Sequence, residues 1–241
     1  WADMPTVLPP TLHAIAGLPV HDLARDFGTP TYVYDADGIA ERVARLRAFD
    51  VVRYAQKANS NLAVLDRVRR AGALVDAVSA GEIHRALAAG WPATGEPAPI
   101  VYTADVFDRE SLDLVLEHGI AVNCGSADMI DQYAARGGRG PLTLRVNPGF
   151  GHGHSRKTNT GGPHSKHGIW HADLEEALAR AAGHGLAVTG LHVHIGSGVD
   201  IRHLARVAEA ACEVARRVGP ALRTISAGGG LPTRSRVDDP E

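Results

Sequence analysis

The sequence predicts an α/β fold in which repeated βα units wind a parallel sheet, a TIM-type (β/α)8 barrel that stops one strand short of closure. Two observations carry this. Seven short apolar runs rich in Val, Ile and Leu, at 51–55, 74–78, 99–103, 120–123, 142–146, 188–194 and 223–227, read as strands. Between them, apolar residues recur at three- and four-residue spacing and predict helices near 60–70, 80–89, 107–117, 126–136, 171–184 and 200–217; over 171–184 the stripe is Leu174, Ala177, Leu178 and Ala181. Regular alternation of the two periods builds a parallel sheet covered by helices, and seven strands are one fewer than a closed eight-stranded barrel needs. A short strand at 31–34, ahead of a helix at 37–47, falls outside the alternation. The chain therefore divides into an N-terminal segment, 1–35, and a barrel, 36–241.

Composition narrows the chemistry. With 241 residues, 44% hydrophobic and 22% charged, the chain supports one large domain. A formal charge of -2, with both signs interspersed, offers neither a basic stripe for nucleic acid nor a polybasic cluster for a membrane surface. Small-molecule chemistry is what remains. Cys124 and Cys212 stand far apart without metal-ligand spacing, which argues against a disulfide framework or zinc module and makes a reducing cytoplasm the expected compartment. The first residues show no signal-peptide pattern, and no stretch reaches the length of a membrane span. Trp1 precedes Met4, and the polar, two-proline stretch 231–241 closes no element, so the expectation is an incomplete reading frame.

The chemistry starts from Tyr54-Ala55-Gln56-Lys57-Ala58-Asn59-Ser60-Asn61, where a short apolar strand delivers one lysine to its C-terminal end. Barrels do their chemistry at that end. An amine among apolar neighbours loses solvation of its charged form and becomes a nucleophile for a carbonyl, forming a Schiff base; the plainer alternative is a surface lysine beside a core strand. After the sixth strand, His192-Val193-His194-Ile195-Gly196-Ser197-Gly198 points His192 and His194 to one side. His194, nearer the strand end, reads either as a stacking partner for a flat ring or as a buried histidine satisfied by a barrel neighbour. Ser197 and the amides near Gly196 and Gly198 suit a phosphate. Gly228, Gly229 and Gly230 follow the seventh strand, where barrels bind phosphate, although a glycine triplet also reads as a flexible turn.

Arg145 ends the fifth strand and opens onto a long polar loop over 147–168. Loops of this length in a domain carry function or disorder. His152, His154, His164 and His167 crowd it, but they match no zinc spacing and no carboxylate joins them, so no metal site is assigned. No G-x-G-x-x-G opens a helix after a strand, so a dinucleotide fold has no fingerprint.

Taken in order, Phe27-Gly28-Thr29-Pro30-Thr31-Tyr32-Val33-Tyr34-Asp35, the Lys57 segment, Val75-Asp76-Ala77-Val78-Ser79-Ala80-Gly81-Glu82, Ser165-Lys166-His167-Gly168, the His192–Gly198 motif and the glycine triplet resemble the diaminopimelate decarboxylases. These are fold-type III pyridoxal-phosphate enzymes, a group that includes alanine racemase and the ornithine and arginine decarboxylases. The resemblance implies that Lys57 binds pyridoxal 5'-phosphate and returns a proton to the substrate. It implies that His194 stacks on the ring, that Ser197, Gly228, Gly229 and Gly230 hold the phosphate, and that Asp76, Glu82 and Arg145 supply polar groups around the ring, ordinary barrel salt bridges being the alternative for these three. The implied reaction is decarboxylation of meso-2,6-diaminopimelate to L-lysine and CO2. The family also has a β-rich C-terminal domain and forms a homodimer whose partner completes the site. Its Glu-Pro-Gly-Arg and Cys-Glu-Ser-Gly-Asp segments are not found in this sequence, so this chain alone is expected to be inactive. Two other readings stay open: a single-barrel carrier of pyridoxal phosphate without turnover, and an aldolase-type lyase that uses Lys57 without a cofactor.

Overall fold

A computed structural model describes residues 12–151, 160–196 and 201–230, with backbone alone for 201–203. The chain enters through a two-residue hairpin, β1 (Ala14–Ile15) against β2 (Leu18–Pro19), and the helix α1 (Val20–Phe27). Then α2 (Ala36–Ala44) leads into β3 (Arg53–Ala55), a single 3₁₀ turn (Gln56–Ala58) and α3 (Leu62–Arg70). The alternation continues with β4 (Leu74–Ala77), α4 (Ala80–Ala88), β5 (Ile100–Ala104), α5 (Arg109–His118), β6 (Ala121–Cys124), α6 (Ala127–Ala135) and β7 (Leu142–Asn147). It ends with β8 (Ile169–Trp170), α7 (Leu174–Gly183), β9 (Val188–Val193), α8 (Ile201–Val218) and β10 (Thr224–Ser226).

Helix starts follow from short polar side chains placed where the first amides need acceptors. Asp35, Asn61, Ser79 and Asp108 accept from the opening N–H groups of α2, α3, α4 and α5. At α4, Glu82 stands three residues after Ser79 and its Oε2 accepts from Val78 N at 2.8 Å, so the Ser79/Glu82 pair works as a variant of the capping box. Gly119 stops α5 in the left-handed conformation, φ +63°.

All the long strands are parallel and pair in chain order, β3-β4-β5-β6-β7-β9-β10, with β8 adding a short parallel pair at the end of β7. Alternation within each strand separates two faces. Val75, Ala77, Ile100, Tyr102, Val122, Cys124, Leu144, Val146, Leu191 and Val193 are buried in the apolar core, together with helix residues such as Leu65, Ile83, Met129 and Leu174. Each of the Val, Leu, Ile and Met side chains among them contributes about 1.5–3 kcal/mol. The other face carries Arg53, Asp76, Thr103, Asn123, Thr143, Arg145 and His192. Lys57, just past β3, is close enough to His192 on β9 and to His194 just past it to depress their pKa values. In a flat sheet those strands would stand roughly 24 Å apart at the usual spacing, so the sheet curls and the polar face is its inside. Among the described residues β3 and β10 pair on one side each.

The architecture is therefore the expected barrel type, with an open circuit of seven parallel strands. The segment 31–34 corrects one expectation: it belongs to no ladder among the described residues, and Tyr32 is 89% exposed. Its apolar residues signalled a strand, and although β3 has an open edge, the segment forms no ladder with it.

Candidate active site

Lys57 is placed by its neighbours. Gln56 is fully buried and its Nε2 donates to Glu82 O at 2.9 Å, which ties the 3₁₀ turn to α4. Tyr54 OH donates to Asn59 O, Ser60 Oγ to Gln56 O, and Asn61 N to Asn59 Oδ1, so the segment from the end of β3 to the cap of α3 is held at each step. Lys57 itself is exposed at the barrel mouth. Its ammonium lowers the pKa values of Asp76 and Glu82, two neighbours whose burial raises them. Burial dominates at Asp76 and pushes it up to about 6, against the opposing effects of a Thr103 hydrogen bond, Arg53 and Lys57.

Inside the barrel, Thr103 Oγ1 donates to Asp76 Oδ1, Asn123 Nδ2 lies 3.4 Å from Thr103 Oγ1, and the same amide nitrogen lies 2.7 Å from His192 Nδ1. The His192 and His194 rings stack with centroids 6.3 Å apart. Burial, with Arg145 next in weight, lowers His192 to about 3 and His194 to about 4, so both rings are neutral. Gly229 N donates to His194 Nδ1 at 3.3 Å, which brings the glycine triplet onto the ring. A Cβ on Gly228 would lie 2.7 Å from His194 Nδ1, and φ there is +70°.

Asp105, the first residue past β5, forms a second centre. One carboxylate oxygen lies 3.5 Å from Arg145 Nη1 and accepts from Gly168 N at 3.4 Å; the other meets His167 Nδ1. A Cβ at Gly125 would collide with this carboxylate. Asn147 holds the returning loop through both Gly162 backbone groups, its Nδ2 donating to Gly162 O at 3.0 Å and its Oδ1 accepting from Gly162 N at 2.9 Å.

These geometries meet a clear likeness. Residues 38–241 match the family model described as "Pyridoxal-dependent decarboxylase, pyridoxal binding domain". The chain belongs to this family. Diaminopimelate decarboxylase of Streptomyces coelicolor is 56% identical over 218 residues, covering 90% of this chain and 50% of that protein. A crystal structure of a diaminopimelate decarboxylase superposes with TM-score 0.85 at 50% identity, covering 92% of this chain and 52% of that one. The Helicobacter pylori enzyme, solved in complex with L-lysine, gives TM-score 0.79 at 27% identity, covering 91% of this chain and 59% of that chain. The chain thus spans about half the length of the curated relatives it matches.

Within this pyridoxal-dependent decarboxylase domain, the fold gathers Lys57, Asp76, Arg145, His194 and Gly228, Gly229 and Gly230 at one end of the barrel. Ser197, His152 and His154 lie outside the described residues. Glu82 spends its carboxylate on Val78 N, a capping role, and Lys166 and His164 are exposed. Sequence reasoning missed Thr103, Asn123 and Asp105. Parity would have found them: Thr103 and Asp105 continue the inward face of β5 toward its C-terminal end, and Asn123 holds that place on β6.

The charge states set an acid response. His192 and His194 are neutral in the fold down to about 3 and about 4, against an ordinary value of 6.5, so below 6.5 the unfolded chain binds more protons. Their contribution is present above pH 6.5 and is lost as pH falls. Asp76, raised from 3.8 to about 6, acts oppositely, since the folded state takes up the extra proton between those values. Two histidines outweigh one carboxylate. Urea midpoints are expected to fall between pH 6.5 and 4, with His192→Asn flattening the fall; a wild-type midpoint that holds steady or rises would contradict this.

Proposed function

We propose that this chain forms the cofactor-binding half of a carboxy-lyase that converts meso-2,6-diaminopimelate to L-lysine and CO2. The observation that carries the reading is the position of Lys57, in the 3₁₀ turn directly after β3 and electrostatically coupled to Asp76, His192 and His194 across the mouth. Relatives named diaminopimelate decarboxylase support the substrate, and the family match favours a cofactor enzyme over the aldolase-type alternative.

The residues present fit pyridoxal phosphate. Gly228 leaves a cradle beside the His194 ring that a Cβ would fill, and above Gly229 a Cβ would meet nothing within 4 Å. When bound, the cofactor supplies an electron sink for the pair released as the substrate carboxylate leaves. Lys57 Nζ would hold it through its aldehyde carbon and later deliver a proton to the substrate carbon. His194, kept neutral by burial, offers a flat uncharged face to a ring. Gly228, Gly229 and Gly230 would hold the phosphate through their amides, with Ser197 as a further donor. Arg145, paired with Asp105 at 3.5 Å, and Asp76 would set the charge around the ring.

The reading extends to a homodimer, to a cytoplasmic setting and to the division at 1–35 and 36–241. Among the described residues no helix is long and apolar enough to cross a membrane. The test is an assay of the full-length gene product with pyridoxal phosphate and meso-diaminopimelate, with ornithine and arginine as competing substrates. Stoichiometric L-lysine and CO2 are expected from diaminopimelate; preferential turnover of ornithine or arginine would sink the substrate assignment.

A further inference from the structure

We propose that Asn123 and His192 are positioning residues of this site, and that the chain Asp76–Thr103–Asn123–His192 makes the proton position on His192 follow the charge on Asp76. The inference rests on hydrogen-bond direction within the protein and does not require the cofactor.

The chain runs from β4 through β5 and β6 to β9. A carboxylate accepts hydrogen bonds and donates none. Asp76 Oδ1 therefore takes the only proton of Thr103 Oγ1, at 2.5 Å. That hydroxyl can then only accept from Asn123, which turns the amide NH₂ toward it at 3.4 Å and toward His192 Nδ1 at 2.7 Å. His192 Nδ1 must accept, so its proton is on Nε2. The independent sign is Asn123 Oδ1, which is buried without a hydrogen-bond partner. An amide free to choose would turn that oxygen toward a donor; here the two acceptors fix the amide the other way.

Protonating Asp76 removes the constraint at its source. Asp76 can then donate to Thr103, Thr103 can donate to Asn123 Oδ1 once the amide turns over, and the same oxygen can accept from His192 with the proton moved to Nδ1. No proton is gained or lost at His192, only its position changes. The groups that bear on Asp76 are Arg53 from β3, Lys57 from the 3₁₀ turn, Glu82 from α4, Thr103 from β5 and Arg145 from β7. Those that bear on His192 are Asn123 from β6, Arg145 from β7, His194 just past β9 and Lys57. The charge on Asp76 is thus carried by hydrogen bonds as far as His192, whose ring stacks on that of His194.

The test is two-bond ¹H–¹⁵N correlation spectroscopy of the imidazoles in the uniformly labelled chain, with His192→Asn to assign the signals. At a pH well above 6, Nε2 of His192 is expected to be pyrrole-like and Nδ1 pyridine-like, and the pattern is expected to reverse as the pH passes below about 6 while the ring stays neutral. Thr103→Val is expected to uncouple the two, and Thr103→Ser to preserve the coupling. An Nδ1-protonated ring at high pH, or a tautomer indifferent to pH in the wild-type chain, would overturn the proposal. The wild-type titration decides even if Thr103→Val fails to fold.

Discussion

Gly228→Ala is expected to weaken pyridoxal-phosphate binding by roughly a hundredfold. The added Cβ would lie 2.7 Å from His194 Nδ1 and 2.8 Å from Val193 O, and the latter is backbone that cannot swing aside. The residue also sits at φ +70°, a left-handed conformation that costs a non-glycine about 1–3 kcal/mol. Relief requires either the His194 ring or the loop at 228–230 to shift, and each is assigned a face of the cofactor. Together with the steric term the cost is about 3 kcal/mol, or roughly two factors of ten in affinity. A cofactor titration followed by absorbance checks this, with circular dichroism to establish that the fold persists. An affinity within about twofold of wild type would mean that the loop is not where the phosphate sits.

Gly190→Ala is expected to destabilise the barrel itself by about 2–3 kcal/mol, at the upper end of overpacking costs. Gly190 on β9 is paired with Thr143 on β7, and a Cβ there would overlap Thr143 Oγ1 and come within 2.9 Å of its Cβ and 3.1 Å of its Cα. The register of the two strands fixes this approach, so relief would have to part β7 from β9. Thermal unfolding of the Gly190→Ala chain should show a clearly lower midpoint. Gly190→Ala combined with Thr143→Ala should recover part of the loss, because the overlapping hydroxyl is then gone while the Thr143 Cβ 2.9 Å away remains; no recovery would place the defect elsewhere.

Much of this was legible in the sequence. All seven long strands fall within the apolar runs or overshoot them by one residue, because strands buried under helices need near-continuous Val, Ile and Leu. Lys57, Asp76, Arg145 and His194 could be named from their places near strand ends. The two-residue strands β1, β2 and β8 could not, since two residues carry no periodicity. Tyr32, Val33 and Tyr34 show the converse: β-type residues alone do not make a strand, and here they join no ladder although β3 has an open edge. The network from Asp76 to His192 was hidden because Thr103 and Asn123 are unremarkable strand residues. Their chemistry appears once register sets them side by side, a relation that single-sequence patterns do not encode. Glu82 was singled out for the polar shell, and one of its carboxylate oxygens also closes the start of α4.

The central claim is that Lys57 is the residue that takes the cofactor. Its most direct test is borohydride reduction of the chain with pyridoxal phosphate, followed by mass-spectrometric peptide mapping, with Lys57→Ala in parallel. The account predicts one adduct, on the peptide containing Lys57, and its disappearance in the variant. Labelling spread over Lys166 and other surface amines, or an undiminished yield of adduct in Lys57→Ala, would contradict it.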